Sequence, residues 1–439
     1  MRGRVRRTIP AALAVVVLLF TAPPATPAPA VHRELLPNGI VLLVAERPAV
    51  PIVAVRVYVH AGAVNEPPDR AGLANLTGAL LTRGTAKRSG QQLDSAIEFV
   101  GGRLDAGAGR DGLVTWLSVL KRDLTLGLDL LGEVVLSPTF PEAELKRKVA
   151  EIQAGLQRME ESPGAVASRE LAKLVFPGHP YGVPVEGTRE SVGGLTRDDV
   201  VRFYGQHARP DTTIVAVVGA VTVDEARREI VARFGAWPRP ATPPASVPFA
   251  APGPAPRTET IKRELSQTTV LLGRQAVTQR DPDYFPLTVA SYILGGGSTS
   301  RLYTRVRDEG GLAYDVRSHL APGKHGARLM VSTQTRAAAA AKATAFIEDE
   351  LSRMRREPPT ERELALAKDY LIGSFVLRLD TSSKMADFIV AVEDLGLGLD
   401  YADRYREMVA RVTAADVQRV AAKYFDPAGF NRVIVGPAP

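Results

Sequence analysis

LTRDDVVRFYGQHARPDTTIVAVVG, residues 195–219, returns near the C-terminus as VTAADVQRVAAKYFDPAGFNRVIVG, residues 412–436. Thr196, Asp199, Val200, Pro210, Val218 and Gly219 recur as Thr413, Asp416, Val417, Pro427, Val435 and Gly436, each 217 positions on and without a gap. Both copies predict the same local order: an N-capping threonine with an acid three residues later, a helix, a proline turn and an apolar strand. Identities repeated at one offset point to an internal duplication, and so to two domains of one type.

Between the copies lies WPRPATPPASVPFAAPGPAPRT, residues 237–258, whose eight prolines read as an extended linker. It separates an N-terminal domain, 31–236, from a C-terminal domain, 259–439. In each, alternating stretches such as 52–62 and 268–277 predict strands, and longer stretches such as 143–161 and 336–356 predict amphipathic helices. The expected class is α+β, with helices packed over a sheet in each domain.

The chain has 439 residues, too many for one ordinary core, and its 45% apolar and 23% charged residues are ordinary globular usage. Of its net charge of +7, four units come from Arg2, Arg4, Arg6 and Arg7, in a segment without acids. What remains gives no support to a nucleic-acid partner. MRGRVRR, an apolar run from Ile9 to Phe20 and the small residues Ala28-Pro29-Ala30 describe a secretory signal peptide over residues 1–30, with an uncleaved anchor as the alternative. The run is short for a membrane span, so no stable membrane insertion is expected. Without cysteine there is neither a disulfide nor a lipidated thiol. A periplasmic or secreted protein fits these features.

No two of the six histidines stand four apart, so a helical pair of zinc-binding imidazoles is missing from the sequence. His319 and His325 flank a Pro-Gly loop and read as exposed, and His179 in FPGHPYG reads as a turn residue. No G-x-S-x-G elbow occurs, and LGGGSTSRLY, 294–303, lacks the Lys-Ser/Thr of a phosphate loop. AGLANLTGALLTRGT, 71–85, has helical spacing but little chemistry. RLYTRVRDEGGLAYDVRS, 301–318, is dense by contrast: Arg301, Arg305 and Arg307 on a helix, a Gly-Gly break, then Tyr314 in an apolar run. It reads either as a solvated basic face before a half-buried tyrosine, or as a guanidinium and a phenol converging on a cleft.

Taken with NGIVLLVAERPAVPIVAVRVYVHAGAVNEPPDRAGLANLTGALLTRGT, FPGHPYG, GTRESVGGLT and GGGSTSRLYTRVRDEGGLAYDV, the chain resembles the M16 metallopeptidases, the group of insulinase, pitrilysin and the mitochondrial processing peptidase. The resemblance spans essentially all of the chain after residue 30. It implies two homologous α+β domains forming half of a clamshell around a chamber, closed in two-domain bacterial members by a second chain. The family's zinc motif is His-x-x-Glu-His on a helix, with a further glutamate downstream. Here Asn75, Gly78 and Ala79 stand where the first histidine, the general base and the second histidine belong, and Glu151 falls near the distal ligand position. None of the first three can bind or activate a metal-bound water, so no cofactor is expected on this chain.

The family's arginine and tyrosine, seven residues apart in the C-terminal half, match Arg307 and Tyr314, while Gly295, Gly296 and Gly297 are the substrate-binding candidates. Some two-chain members place zinc on one subunit and this pair on the other. The resemblance therefore implies the non-zinc subunit of a heterodimer: the partner is a zinc-bearing M16 chain, the substrate an unfolded peptide, and the isolated chain hydrolyses peptides negligibly. The alternative is a non-proteolytic structural or peptide-binding protein of the same fold.

Overall fold

The structure is a computed structural model and describes residues 30–437. The expected signal peptide lies outside the described residues but for its last position. Among the described residues no helix is long and apolar enough to cross a membrane.

Among the described residues eleven strands form two sheets. β1 (Val31–Leu35), β2 (Val41–Glu46), β3 (Ile52–Val59), β4 (Arg103–Ala108), β5 (Leu113–Leu120) and β6 (Thr213–Gly219) are ordered β1-β2-β6-β3-β5-β4. β7 (Thr258–Lys262), β8 (Gln267–Ala276), β9 (Ala313–Ala321), β10 (Ala327–Arg336) and β11 (Asn431–Gly436) are ordered β7-β11-β8-β10-β9. In each sheet one parallel pair, β2 with β6 and β7 with β11, adjoins antiparallel neighbours. Five strands of the first sheet thus match the five of the second, and β1 is an addition at its edge.

The repeated segments build the same unit twice. The Thr196 hydroxyl accepts from the Asp199 N–H at 3.2 Å, while the Asp199 carboxylate accepts from the Thr196 N–H at 3.0 Å. Thr413 and Asp416 make the same reciprocal pair at 3.1 and 3.0 Å. Each box satisfies two N–H groups that a helix terminus leaves without partners, and each helix leads through a proline turn into β6 or β11.

One face of each sheet is covered by helices of its own half, and the other by a helix donated from the opposite half. Helix Pro163–Val175 packs Val166, Leu171 and Leu174 on Leu271, Val433 and Val435 of β8 and β11. Helix Ser382–Asp394 packs Met385 and Ile389 on Ala54, Ala216 and Val218 of β3 and β6. The two helices start 219 positions apart and are capped by Ser162 and Thr381. At about 1.5–3 kcal/mol for each large side chain removed from water, this exchange ties the halves into one folding unit.

The exchange buries β3 on both faces: every residue of the strand after Ile52 is buried, because helix Ser382–Asp394 lies over the face that carries Arg56 and Tyr58. Arg56 is 5% exposed and donates to the Asp387 carboxylate at 2.5 and 3.2 Å. Tyr58 donates to Asp394 at 3.2 Å. Between Gly235 and Arg257 the proline-rich segment forms neither helix nor strand, and it is held down. His179 Nε2 lies 3.1 Å from the Pro248 carbonyl oxygen, and the Ala250 N–H donates to the His325 carbonyl at 2.8 Å. His325 differs from expectation: it is half-buried, its ring against Tyr181 and Phe249, and burial lowers its pKa.

Candidate active site

The two segments singled out by the sequence fold very differently. Helix Leu73–Leu80 is short, and its N-terminus has no side-chain cap because Gly72 stands there at φ +93°. Glu66 takes over that role: its carboxylate accepts from the Gly72 and Ala74 N–H groups at 3.2 and 2.7 Å. Burial pushes this carboxyl up to about 8, against the downward pull of the two donors.

The helix lies directly on β4. A Cβ at Gly78 would stand 2.6 Å from the Gly107 carbonyl carbon and 2.7 Å from the Ala108 nitrogen, so the backbones meet where a side chain would be. Thr77 is fully buried and returns its hydroxyl to the Leu73 carbonyl at 2.7 Å. Asn75 and Ala79 are half-buried and supply at most one carboxamide and one methyl. Glu151 sits on the outer face of helix Glu142–Glu161, 2.9 Å from Lys148 and 3.6 Å from Arg147, and the Lys148 ammonium lowers its pKa. The residues at these four positions do not fit a zinc ion. Among the described residues no group of three or more His, Asp or Glu side chains is arranged to hold a metal.

The C-terminal segment is built from two local irregularities. Residues Tyr303–Glu309 form a π-helical turn, and Gly311, at φ +56°, reverses the chain after it. The Leu312 N–H donates back to the Val306 carbonyl at 3.0 Å. β9 then pairs Ala313 with Thr335 and Asp315 with Gln334, so Tyr314 is the extra residue of a β-bulge. A bulge turns its side chain away from the ordinary pleat, and Tyr314 is 81% exposed.

The π-turn and the bulge bring Arg307 and Tyr314 together. The Arg307 guanidinium lies 4.6 Å from the Tyr314 ring centroid and 4.6 Å from that of Tyr303, and it also donates to the Tyr303 hydroxyl. Two aromatic faces hold a cation whose charge is permanent. Next to an exposed phenol, this is a donor pair able to bind a carbonyl oxygen and the negative charge that gathers on it during acyl transfer.

The other two arginines of the segment are turned elsewhere. Arg301 makes a two-pronged pair with Glu363 at 2.6 and 3.0 Å, while Arg305 lies over Phe346 at 4.6 Å and near Glu309 at 3.3 Å. Only Arg307 of the three faces the tyrosines. Tyr303 was not singled out by the sequence, although its spacing of four from Arg307 is a helical-contact signal.

The glycine run closes helix Tyr284–Gly295 against β9. A Cβ at Gly295 would meet the Ser318 nitrogen at 2.3 Å, and one at Gly296 would meet the Tyr292 ring at 2.4 Å. Gly297 lies near the Tyr292 hydroxyl, 3.1 Å from its added Cβ. At Gly295 and Gly296 close packing by itself demands glycine.

Two duplicated α+β domains that exchange a helix, with an arginine–tyrosine pair in the second, define a peptidase-like fold of the M16 type. A model of the insulinase family, peptidase family M16, matches residues 41–189, and a model of the peptidase M16 inactive domain matches residues 194–371. The chain is 30% identical over 397 residues to an uncharacterised zinc protease of Streptomyces coelicolor, covering 89% of this chain and 86% of that one. It is 32% identical to an uncharacterised zinc protease of Mycobacterium leprae, with 80% of each chain covered. The solved structure of a peptidase M16 inactive domain from Pseudomonas fluorescens matches with a TM-score of 0.87 at 26% identity, over 93% of this chain and 98% of that one. The chain belongs to the M16 peptidase family.

Proposed function

We propose that this protein is the non-zinc subunit of a periplasmic or secreted two-chain M16 peptidase, in which Arg307 and Tyr314 serve a zinc site carried by a second M16 chain. The observation that carries this reading is the contrast between the two segments. Position 78 admits no side chain, whereas Arg307 and the exposed Tyr314 are drawn into one donor pair. In the assembly this chain would complete the chamber, hold an unfolded peptide and place the pair on the carbonyl oxygen of the scissile bond. The glycine run 295–297 would border the peptide's path. Zinc would be the partner's, supplying Lewis-acid chemistry that no residue of this chain replaces.

The test is a peptidase assay of the purified chain, alone and mixed with an M16 chain bearing an intact His-x-x-Glu-His. Activity only in the mixture, lowered by Arg307→Ala, is expected. Robust hydrolysis by this chain alone with stoichiometric zinc overturns the reading. A mixture whose activity is indifferent to both Arg307→Ala and Tyr314→Phe favours instead a structural, peptide-binding role.

A further inference from the structure

A second site lies where the two halves meet. A cavity of about 400 Å³ opens between the end of helix Glu142–Glu161, helix Pro163–Val175, the loop 183–187, the tip of the β4–β5 hairpin and the start of β10. Its walls are apolar on one side, formed by Leu156, Met159, Val166, Ala172 and Val183. Met159 and Val183 are 41% and 40% exposed, so this apolar wall is open to solvent.

The opposite wall carries Arg110, from the first half, and Arg328, from the second. Both are half-buried, and neither has a carboxylate within ion-pair distance among the described residues. Arg110 donates to the Tyr181 carbonyl at 2.6 Å and lies over the Tyr181 ring at 5.3 Å. Arg328 has no side-chain hydrogen-bond partner among the described residues. Burial and the neighbouring Arg110 charge both lower its pKa. Of the other charges on the lining, Arg169 is already paired with Glu170 at 3.2 Å, and Glu186 is exposed at the rim.

Two permanent cations held together in a partly dry wall disfavour each other, and folding alone gives no reason for them. An anion between them would relieve the repulsion, and forked guanidinium donors suit the two oxygens of a carboxylate. The facing apolar wall suits a compact hydrophobic body attached to it, and a few hundred Å³ is the scale of small-ligand pockets.

We propose that this cavity binds the C-terminal carboxylate of a peptide ending in apolar residues, with Arg110 and Arg328 gripping the carboxylate and the Leu156–Val183 wall receiving the last side chains. The choice of a peptide over other carboxylates rests on the reading of the chain as a peptidase subunit; the site itself does not. The isolated chain suffices for the test, so a failure of the partner assay leaves it intact.

The experiment is calorimetric titration of the full chain with N-acetyl-Leu-Phe as the free acid, as its C-terminal amide, and with decanoate. The acid is expected to bind, and the amide to bind at least about tenfold more weakly because it lacks the charge. Arg328→Gln is expected to lose about the same factor while melting at or above the parent temperature, since it removes a repulsion. Should that variant fail to fold, Ala172→Phe keeps both guanidiniums, fills the cavity and is expected to abolish binding. Equal binding of acid and amide, undiminished binding by a folded Arg328→Gln or Ala172→Phe chain, or saturation by decanoate but not by the peptide each overturns the proposal.

Discussion

Helix Leu73–Leu80 and the segment Tyr303–Tyr314 occupy the two halves of one duplicated fold, and they have been built to opposite ends. The first is regular, sits flush on β4 and leaves no room at Gly78. The second abandons regularity twice within a dozen residues, by a π-turn and a bulge, and sends Tyr314 into solvent. Regular packing is what a segment settles into when only stability acts on it. Irregularity costs stability and persists where a side chain has to be aimed.

The broadest way to break the comparison is to attack what the halves share. Leu171→Ala and Ile389→Ala each truncate a buried residue of an exchanged helix, and each should cost about 2–5 kcal/mol in denaturant unfolding with a single transition. Two separate transitions would mean that the halves fold independently. Next comes Gly78→Glu, which forces a side chain into the β4 backbone. It should cost about 3 kcal/mol or more, while Ala79→His on the half-buried face costs under about 1 kcal/mol. A Gly78→Glu chain as stable as the parent would show that the helix can lift off β4.

At the second segment the effects should fall on activity. In a complex with a zinc-bearing chain, Arg307→Ala is expected to lower kcat by about a hundredfold, the scale of losing one oxyanion donor. Tyr314→Phe should lower it less and leave unfolding within about 0.5 kcal/mol of the parent.

A subtler contrast is in pH. Glu66 and Asp283, again 217 positions apart, titrate in opposite directions. Burial raises Glu66 to about 8. For Asp283 burial also pulls upward, but hydrogen bonds from Arg419, Lys423 and Tyr424 outweigh it and hold the carboxyl at about 2. A raised acid favours folding below its unfolded value, about 4.3, and that contribution is lost as the pH climbs toward 8. A depressed acid contributes above about 3.9, and that is lost as the pH falls toward 2. Glu66→Gln should therefore flatten the stability profile between pH 5 and 8 and Asp283→Asn between pH 4 and 2, each in proportion to the displacement of its carboxyl from the ordinary value. Parallel profiles for parent and variants would remove this distinction between the halves.

The smallest effect concerns the capping boxes. Thr196→Ala and Thr413→Ala should each cost about 1 kcal/mol, and by the same amount within error, if the duplicated ends remain energetically alike.

Much of this architecture was legible in the sequence because its signals are local. A capping box, a proline turn and an apolar strand announce themselves within 25 residues, and a second copy at a fixed offset makes them a domain repeat. The pairing of Arg307 with Tyr314 could be suspected from their spacing and surroundings. The role of Tyr303 had only its spacing of four from Arg307 as a signal, and the reason for Gly295 had none, since it depends on how a helix end meets β9.

The sequence by itself determined the duplication, the α+β class and the residues standing at each position of interest, including the absence of imidazoles at 75 and 79. The tertiary structure alone decided that each sheet borrows a helix from the other half, that Arg56 is buried against Asp387, and that Arg110 and Arg328 share a wall. Periodicity and capping report a residue's neighbours along the chain. Burial and charge pairing depend on what arrives from a hundred or more positions away, and no local pattern carries that information.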